Sequence, residues 1–251
     1  MTTPSFKDHF SQVAGAYAAH RPSYPAALVE FLAERVLPPR RLAWDCGCGS
    51  GQLSVLLAGP FERVVATDAS AEQIARATAH PKVEYRRAPA GASELPVASA
   101  DLATAAQAAH WFDLPAYYAE VRRVVRPGGL VALISYGVVT AGADLDAVIG
   151  PFYREVLGSY WPPERHHVDE GYRSLPFPFA ELEGPPFEIR LDWRLEDLVG
   201  YVGTWSAVWA LEQARGPGPF AAFRRDLAAA WGTAPAARTV RWPLALRLGR
   251  V

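Results

Sequence analysis

The segment "WDCGCGSG" (Trp44–Gly51) places three alternate glycines between two apolar runs of different character. The preceding "RLAWDC" has the composition of a buried strand, and the following "SGQLSVLLA" spaces its leucines as a helix does. Glycines at such a junction allow a sharp turn and let a ligand approach bare backbone at a helix N-terminus. The segment therefore predicts a strand–loop–helix unit whose loop is a candidate binding site.

The spacing of the glycines distinguishes this loop from two common nucleotide-binding loops. Gly47, Gly49 and Gly51 form Gly-x-Gly-x-Gly, which is one residue shorter than the dinucleotide-binding fingerprint, and the Gly-Lys-Ser/Thr ending of a Walker loop is absent. The pattern alone leaves two interpretations open, a purely structural turn and a cofactor-binding loop.

Both cysteines of the chain, Cys46 and Cys48, also lie in this segment. A structural zinc site needs about four ligands, usually in two spaced pairs, and a redox pair has the spacing Cys-x-x-Cys. Neither pattern is present. We predict that the thiols are small buried side chains and that the chain holds no metal.

Strand-like and helix-like segments alternate through the first half of the chain, which favours a parallel sheet covered by helices. We predict a Rossmann-like α/β fold with a seven-stranded, mostly parallel sheet, helices on both faces, an inserted cap and an antiparallel last strand. The predicted strands are 41–46, 62–68, 82–88, 100–109, 129–137, 187–193 and 239–250, and one long helix is predicted over 195–214.

The alternation of strand-like and helix-like segments is lost between residues 141 and 185, where proline, tryptophan and histidine accumulate. We interpret 1–251 as a single domain made of four consecutive parts. These are an N-terminal helical lid (1–40), a cofactor-binding core (41–140), the cap (141–185) and a C-terminal completion of the sheet (186–251).

Composition excludes several classes of partner. With 25 basic and 26 acidic residues and a formal net charge of -1, the chain lacks the basic patch that attracts nucleic acid or an anionic membrane. The start lacks the pattern of a secretory signal, and no apolar run reaches the length of a membrane span. We expect a cytoplasmic protein that acts on a small molecule, as a monomer or a homodimer.

Asp68 ends the second predicted strand, in "VVATDAS". Ligands of open α/β sheets bind outside the carboxyl ends of the strands, where a carboxylate can accept hydrogen bonds from both ribose hydroxyls. Asp68 can equally favour the N-terminus of the following helix, for which Ser70 is a candidate cap. Together with the glycine loop, Asp68 favours a nucleoside-containing ligand.

The blocks "WDCGCGSGQLS", "VVATDAS", "ASELPVASADLATAAQAAHWFD" and "EVRRVVRPGGLVAL", in this order, resemble the class I S-adenosylmethionine-dependent methyltransferases of the methyltransferase type 11 branch. "YAAHRPSYP", "YVGTWSAV" and "WPLALRLGR" are similar to the trans-aconitate methyltransferase-like subgroup. The resemblance implies methyl transfer from S-adenosylmethionine to a small molecule, with a carboxylic acid as the leading acceptor. The alternatives are a non-catalytic S-adenosylmethionine-binding or regulatory protein and an NAD(P)-dependent oxidoreductase, which the glycine spacing disfavours.

The resemblance also implies roles for individual residues, although Gly91 stands where the family often has an acidic residue. His110 and Trp111 would face the acceptor as the catalytic candidates, and Trp205 would contact the substrate. The residues implied in cofactor binding are Tyr17, Arg21, Asp45, Gly47, Cys48, Gly49, Gly51, Asp68, Ala69, Ala92, Ser93 and Gln107.

Several aromatic and histidine side chains have two interpretations. His110 can act as a general base for a phenol, hydroxyl, amine or carbon acid, whereas a carboxylate acceptor needs no base; alternatively it only packs against Trp111. Tyr201, Trp205 and Trp209 are spaced four apart and would share one helix face, which is more typical of a core than of a pocket.

Overall fold

The computed structural model describes residues 22–232 and 237–251, and this part of the chain has the predicted Rossmann-like sheet. Seven longer strands and one short strand of three residues form a single sheet in the order β3-β2-β1-β4-β5-β8, with β6 and β7 both pairing with β8. The strands are β1 Leu42–Cys46, β2 Arg63–Asp68, β3 Val83–Arg87, β4 Ala100–Ala106, β5 Val125–Tyr136, β6 Ala180–Leu182, β7 Phe187–Trp193 and β8 Arg238–Arg250.

Strand direction changes at the last strand, β8, which lies between β5 on one side and β6 and β7 on the other. The pairs β1–β2, β1–β4, β2–β3 and β4–β5 are parallel, whereas β8 runs antiparallel to β5, β6 and β7. The prediction of an antiparallel last strand is therefore confirmed. Because the chain leaves β1 for β2 on one side and later returns to β4 on the other, the sheet order reverses at β1, and the crevice beyond its carboxyl end is the expected ligand position.

Nine α-helices surround the described part of the sheet. They are α1 Ala26–Arg35, α2 Gln52–Leu57, α3 Ala71–Ala75, α4 Leu114–Val124, α5 Ala143–Pro151, α6 Arg165–Asp169, α7 Leu195–Gly203, α8 Ser206–Arg215 and α9 Gly218–Trp231. The 3₁₀ turn Ala109–Trp111 follows β4, and a π-helical turn, Phe152–Val156, follows α5.

Helix α1 is a core helix. Leu28 and Leu32 are fully buried in one cluster with Leu53 and Leu57 of α2. The described end of the segment predicted as a lid (1–40) therefore covers one face of the sheet, while residues 1–21 lie outside the described part of the chain.

The helix predicted over 195–214 is wrong, because the chain forms two helices there. Helix α7 ends at Gly203, and the hydroxyl of Thr204 donates to the carbonyl oxygen of Tyr201 at 2.6 Å, which competes with continuation of the helix. Trp205 is extended and precedes α8. The three aromatic residues therefore do not form one stripe: Tyr201 and Trp205 are buried, but Trp209 is 48 % exposed.

The segment predicted as a cap (141–185) has regular structure that its sequence pattern did not indicate. It contains α5, the π-helical turn, α6 and β6. The buried apolar side chains of its first part, such as Leu145 and Phe152, pack in one cluster with α7, α8, α9 and β8, whereas Tyr172 packs in the cluster of β1 and α4. The cap and the C-terminal helices therefore share a core beside the sheet.

Close backbone approach fixes the loop between β1 and α2. The N–H groups of Gly47 and Cys48 both donate to the carbonyl oxygen of Thr67, at 2.7 and 3.0 Å. Gly47 has φ +68, and a Cβ on it would lie 2.4 Å from the Cβ of Ala108. The loop thus depends on glycine for its backbone conformation and for its contact with the segment after β4.

We expect Gly47→Ala to lower the free energy of unfolding by more than the backbone strain of an alanine at this position would. A left-handed alanine costs about 1–2 kcal/mol, and the overlap with Ala108 adds about 1–3 kcal/mol. Gly128→Ala is the matched control, because Gly128 has φ +80 and no described atom lies within 4 Å of the position that its Cβ would take. Urea unfolding of both variants measures the difference, and equal losses would show that the contact between Gly47 and Ala108 is unimportant.

Candidate active site

Asp45 lies beneath the glycine loop as a buried carboxylate. Its side chain is 1 % exposed and accepts hydrogen bonds from the hydroxyls of Ser54, at 2.6 Å, and Thr104, at 2.8 Å. Burial raises the pKa of Asp45 to about 6, although both hydrogen bonds lower it. Asp45 therefore ties β1 to α2 and β4 and titrates close to neutral pH.

Asp68 binds the loop from the end of β2. One carboxylate oxygen accepts the N–H of Gly49 at 2.9 Å, and the other accepts the N–H of Ser70 at 2.8 Å. Ser70 itself caps α3 by accepting from the N–H of Gln73, which confirms that part of the prediction. Burial raises the pKa of Asp68, and its charge in turn helps to raise the pKa of Asp45. Two acidic groups thus lie within electrostatic range at the same edge of the sheet.

The middle glycine of the loop has an open side. Gly49 has φ +55, and the nearest atom to a Cβ placed on it would be Oε1 of Gln73, at 3.9 Å. Packing among the described residues therefore leaves room for a side chain at position 49, whereas it leaves none at position 47. The free side of the loop is bare backbone that a ligand can approach.

The two thiols are buried as predicted. Neither Cys46 nor Cys48 is in a disulfide, and burial raises the pKa of both well above that of a free thiol. They therefore remain protonated and are poor nucleophiles and metal ligands. Within 22–232 and 237–251, no three His, Cys, Asp or Glu side chains are grouped to hold a metal ion.

The residues after the third and fourth strands have definite partners. Ser93 is fully buried, and both its N–H and its hydroxyl donate to Glu120, whereas Ala92 is exposed. Gln107 adopts a left-handed conformation, with φ 54, and its amide donates to the carbonyl oxygen of Tyr136 at 2.7 Å. The carbonyl oxygen of Ala69 accepts from Arg87. Ala69 and Gln107 directly follow β2 and β4, as their implied cofactor roles require.

The turn after β4 carries the acceptor-side candidates. The rings of His110 and Trp111 lie 4.7 Å apart, and Nδ1 of His110 is 2.8 Å from the hydroxyl of Tyr172. Burial is the main cause that lowers the pKa of His110 to about 3, and the charge of Arg165 adds to it. His110 is therefore a neutral imidazole at physiological pH.

The cap contributes residues that sequence reasoning missed. Tyr172 is fully buried, has φ 62 and reaches His110, while α6, which begins at Arg165, packs against the turn Ala109–Trp111. Trp205 contacts both Tyr153 and Trp161, with ring centroids 5.5 and 5.7 Å away. No local pattern points to Tyr172 or Arg165, since each contact joins segments far apart in the chain.

Other predicted residues are placed as follows. Tyr17 and Arg21 lie outside the described residues. In the cap, His166 is exposed, His167 is partly exposed, and their rings lie against one another. A search of the described helices finds none with the length and apolar character to span a membrane.

The donor set at the carboxyl ends of β1, β2 and β4 suits S-adenosylmethionine. Two carboxylates, Asp45 and Asp68, lie close to a loop whose Gly49 side is open. The cofactor carries a cationic sulfonium, an ammonium group and a ribose diol, which carboxylates can bind by charge and by hydrogen bonds. The residues present therefore fit this group.

Comparison with known proteins gives the same assignment. Residues 44–133 match the methyltransferase domain family of type 11. A protein of Dictyostelium discoideum assigned as a methyltransferase is 35% identical over 216 residues, which cover 85% of this chain and 82% of that protein. The structure of a protein from Anaeromyxobacter dehalogenans assigned as a type II methyltransferase is 51% identical, with a TM-score of 0.86 over 92% of this chain and 97% of that one.

A further relative names the cofactor. A Saccharomyces cerevisiae protein assigned as an S-adenosylmethionine-dependent methyltransferase is 27% identical over 153 residues, 56% of this chain and 52% of that protein. The class of the enzyme thereby excludes an NAD(P)-dependent oxidoreductase. The chain belongs to the methyltransferase type 11 family of class I methyltransferases and is an S-adenosylmethionine-dependent enzyme.

Proposed function

We propose that this enzyme methylates a carboxylate oxygen of a small organic acid. The observation that carries the proposal is the state of His110, whose pKa of about 3 and contact with Tyr172 leave it a poor proton acceptor. A carboxylate is already ionised at neutral pH, so it needs no base. The carboxylate supplies the electron pair of the new O–CH₃ bond, and no proton has to leave.

The tautomer of His110 supports the same acceptor. Burial raises the pKa of the Tyr172 phenol, so it stays protonated, and the N–H groups of Ala109 and His110 face its oxygen. The hydroxyl proton of Tyr172 is therefore directed at Nδ1 of His110, which leaves the ring proton on Nε2. His110 then offers the acceptor a hydrogen-bond donor, and Trp111 packs beside it.

The roles toward the cofactor follow from the positions of the loop and strand ends. When bound, S-adenosylmethionine supplies a methyl group on a sulfonium, whose sulfur leaves as a neutral thioether. Asp45 and the glycine loop would hold its methionine part, Asp68 would accept the ribose hydroxyls, and Ala69 would border the adenine. We assign the remaining cofactor contacts to Cys48, Ala92, Ser93 and Gln107. Tyr17 and Arg21, which lie outside the described residues, are assigned to the segment that would close over the cofactor.

A methyl-transfer screen tests the acceptor class. The purified enzyme is incubated with S-adenosylmethionine and with carboxylic acids, phenols and amines of matched carbon skeleton, and products are identified by mass. Methyl esters are the expected products. Methylation of phenols or amines without any ester would contradict the proposal.

We predict that Asp68→Asn weakens binding of S-adenosylmethionine by about 10- to 100-fold, because a charge-assisted hydrogen bond to the ribose becomes a neutral one. Isothermal titration calorimetry measures the dissociation constant. Asp226→Asn serves as the control, since this exposed residue of α9 makes the same charge change far from the strand ends. An unchanged affinity of Asp68→Asn would remove the ribose assignment.

The raised pKa of Asp45 predicts a pH dependence of cofactor binding. With a pKa of about 6 in the free protein, Asp45 is ionised at pH 7.5 and mostly protonated at pH 5. Since a cationic ligand prefers the ionised form, S-adenosylhomocysteine, which keeps the ammonium group, should bind about tenfold more weakly at pH 5 than at pH 7.5. Asp45→Asn should flatten this dependence, and an equally steep dependence in the variant would contradict the assignment.

For His110, we expect His110→Gln to lower kcat with a carboxylate acceptor by less than about tenfold, because removal of a general base typically costs 10²–10⁴-fold. The pH profile of kcat/KM should keep its shape between pH 5 and 9, since His110 does not titrate there. The loss of an acidic limb in the variant would show instead that His110 acts as a base.

A further inference from the structure

Arg165 occupies a distinctive position in the cap. It begins α6, which packs against the turn Ala109–Trp111, and that turn follows Ala108, the residue in contact with Gly47 of the loop. The glycine loop, the His110 turn and α6 therefore form a continuous sequence of contacts. The charge of Arg165 also lowers the pKa of His110, so the guanidinium lies within electrostatic range of the acceptor-side candidate.

One side of the guanidinium is fixed by neighbours. Its Nε donates to the hydroxyl of Tyr153 at 2.7 Å and lies 3.3 Å from Asp169 Oδ1, and the Tyr153 hydroxyl donates to the same oxygen at 2.6 Å. The Arg165 carbon Cζ lies 4.9 Å from the ring centroid of Trp161. These contacts hold the plane of the guanidinium in one orientation, as a binding group requires.

The other side of the guanidinium carries the two terminal nitrogens. The Arg165 side chain is 22% exposed, yet its two terminal nitrogens make no hydrogen bond to the residues of 22–232 and 237–251. The salt bridge to Asp169 involves only Nε, and Asp169 is itself 42% exposed. The Arg165 cation is therefore paired through Nε, while no residue of 22–232 or 237–251 uses the donors of its terminal nitrogens.

Aromatic rings surround this group. Tyr153 and Trp161 lie 5.0 Å apart, and Trp205 packs edge-on against Tyr153 and also contacts Trp161. A ligand that reaches the terminal nitrogens would therefore place its carbon skeleton near flat apolar surfaces. The combination suits an anion with an apolar body better than a strongly hydrated one.

We propose that Arg165 is the residue that binds a carboxylate of the methyl acceptor, through both terminal nitrogens, with Trp161 and Trp205 beside the carbon skeleton. The proposal rests on the function proposed above and names the residue that recognises the acid. A planar carboxylate matches the two parallel N–H donors of the guanidinium. Each carboxylate oxygen keeps a second lone pair, so the contact leaves it able to accept a methyl group.

The test uses binding as well as turnover. Wild type and Arg165→Gln are saturated with S-adenosylhomocysteine and titrated by calorimetry with 3-phenylpropanoate and hexanoate, and with the corresponding amides. We expect the carboxylates to bind wild type more tightly than the amides do, and to bind Arg165→Gln about 10- to 100-fold more weakly, the loss of a charge-assisted pair. Amide binding should be the same in both proteins.

Two further variants serve as controls. Arg173→Gln makes the same charge change at an exposed cap position, and its carboxylate affinity should equal that of wild type. Arg165→Lys keeps the charge but loses the paired donors, so its affinity should be intermediate, and it carries the test where circular dichroism shows that Arg165→Gln is unfolded. Equal carboxylate affinity in wild type and the Arg165 variants, or no preference for carboxylates over amides in wild type, overturns the proposal.

Turnover separates this proposal from the proposed function. If carboxylates are methylated by Arg165→Gln with an unchanged KM, Arg165 is not the anchor, and the acceptor class stands. Carboxylate binding could instead depend on Arg165 while methylation occurs only on a phenol or amine group of compounds that also carry a carboxylate. Arg165 is then the carboxylate-binding residue, and the methylated group in the proposed function is wrong.

Discussion

The hydrogen bonds of one buried carboxylate hold the site together. Asp45 extends from β1 to Ser54 in α2 and Thr104 in β4, so three elements on both sides of the reversal in sheet order meet at its two oxygens. A buried carboxylate without such partners would be strongly destabilising. The positions of the glycine loop above it and of the turn after β4 therefore depend on a group whose own burial is unfavourable.

Burial of the two carboxylates lowers the stability of the ligand-free protein. Burial raises the pKa values of both Asp45 and Asp68, which means that the folded chain disfavours their charged forms. For Asp45, this energetic cost in the ligand-free protein is absent below the pKa of the unfolded chain, near 3.8, and is complete above about pH 6. In the proposed assignment, a cationic cofactor offsets this cost because it supplies the opposite charge.

The sequence predicted the parts of this structure that depend on local pattern. The strand–helix alternation, the glycine loop, the position of Asp68 and the cap residue Ser70 follow from periodicity and turn chemistry, and all are present. The break at Thr204 escaped prediction because a single side-chain hydrogen bond outweighed a continuous apolar pattern. The partnership of Ser93 with Glu120, and of His110 with Tyr172, could not be predicted, since each joins residues from different elements.

The missed contacts are also those that decide the chemistry of the acceptor side. His110 stands at the end of a strand, where its pKa alone would make it a natural base near neutral pH. The cap changes that outcome in two ways: it buries the imidazole, and it brings Tyr172 and Arg165 to it. Burial and the charge of Arg165 both disfavour the imidazolium. A neutral imidazole beside a cation is the environment that our proposal of an already deprotonated acceptor requires. In that proposal the cap, whose sequence is irregular, selects the acceptor, and the regular core does not.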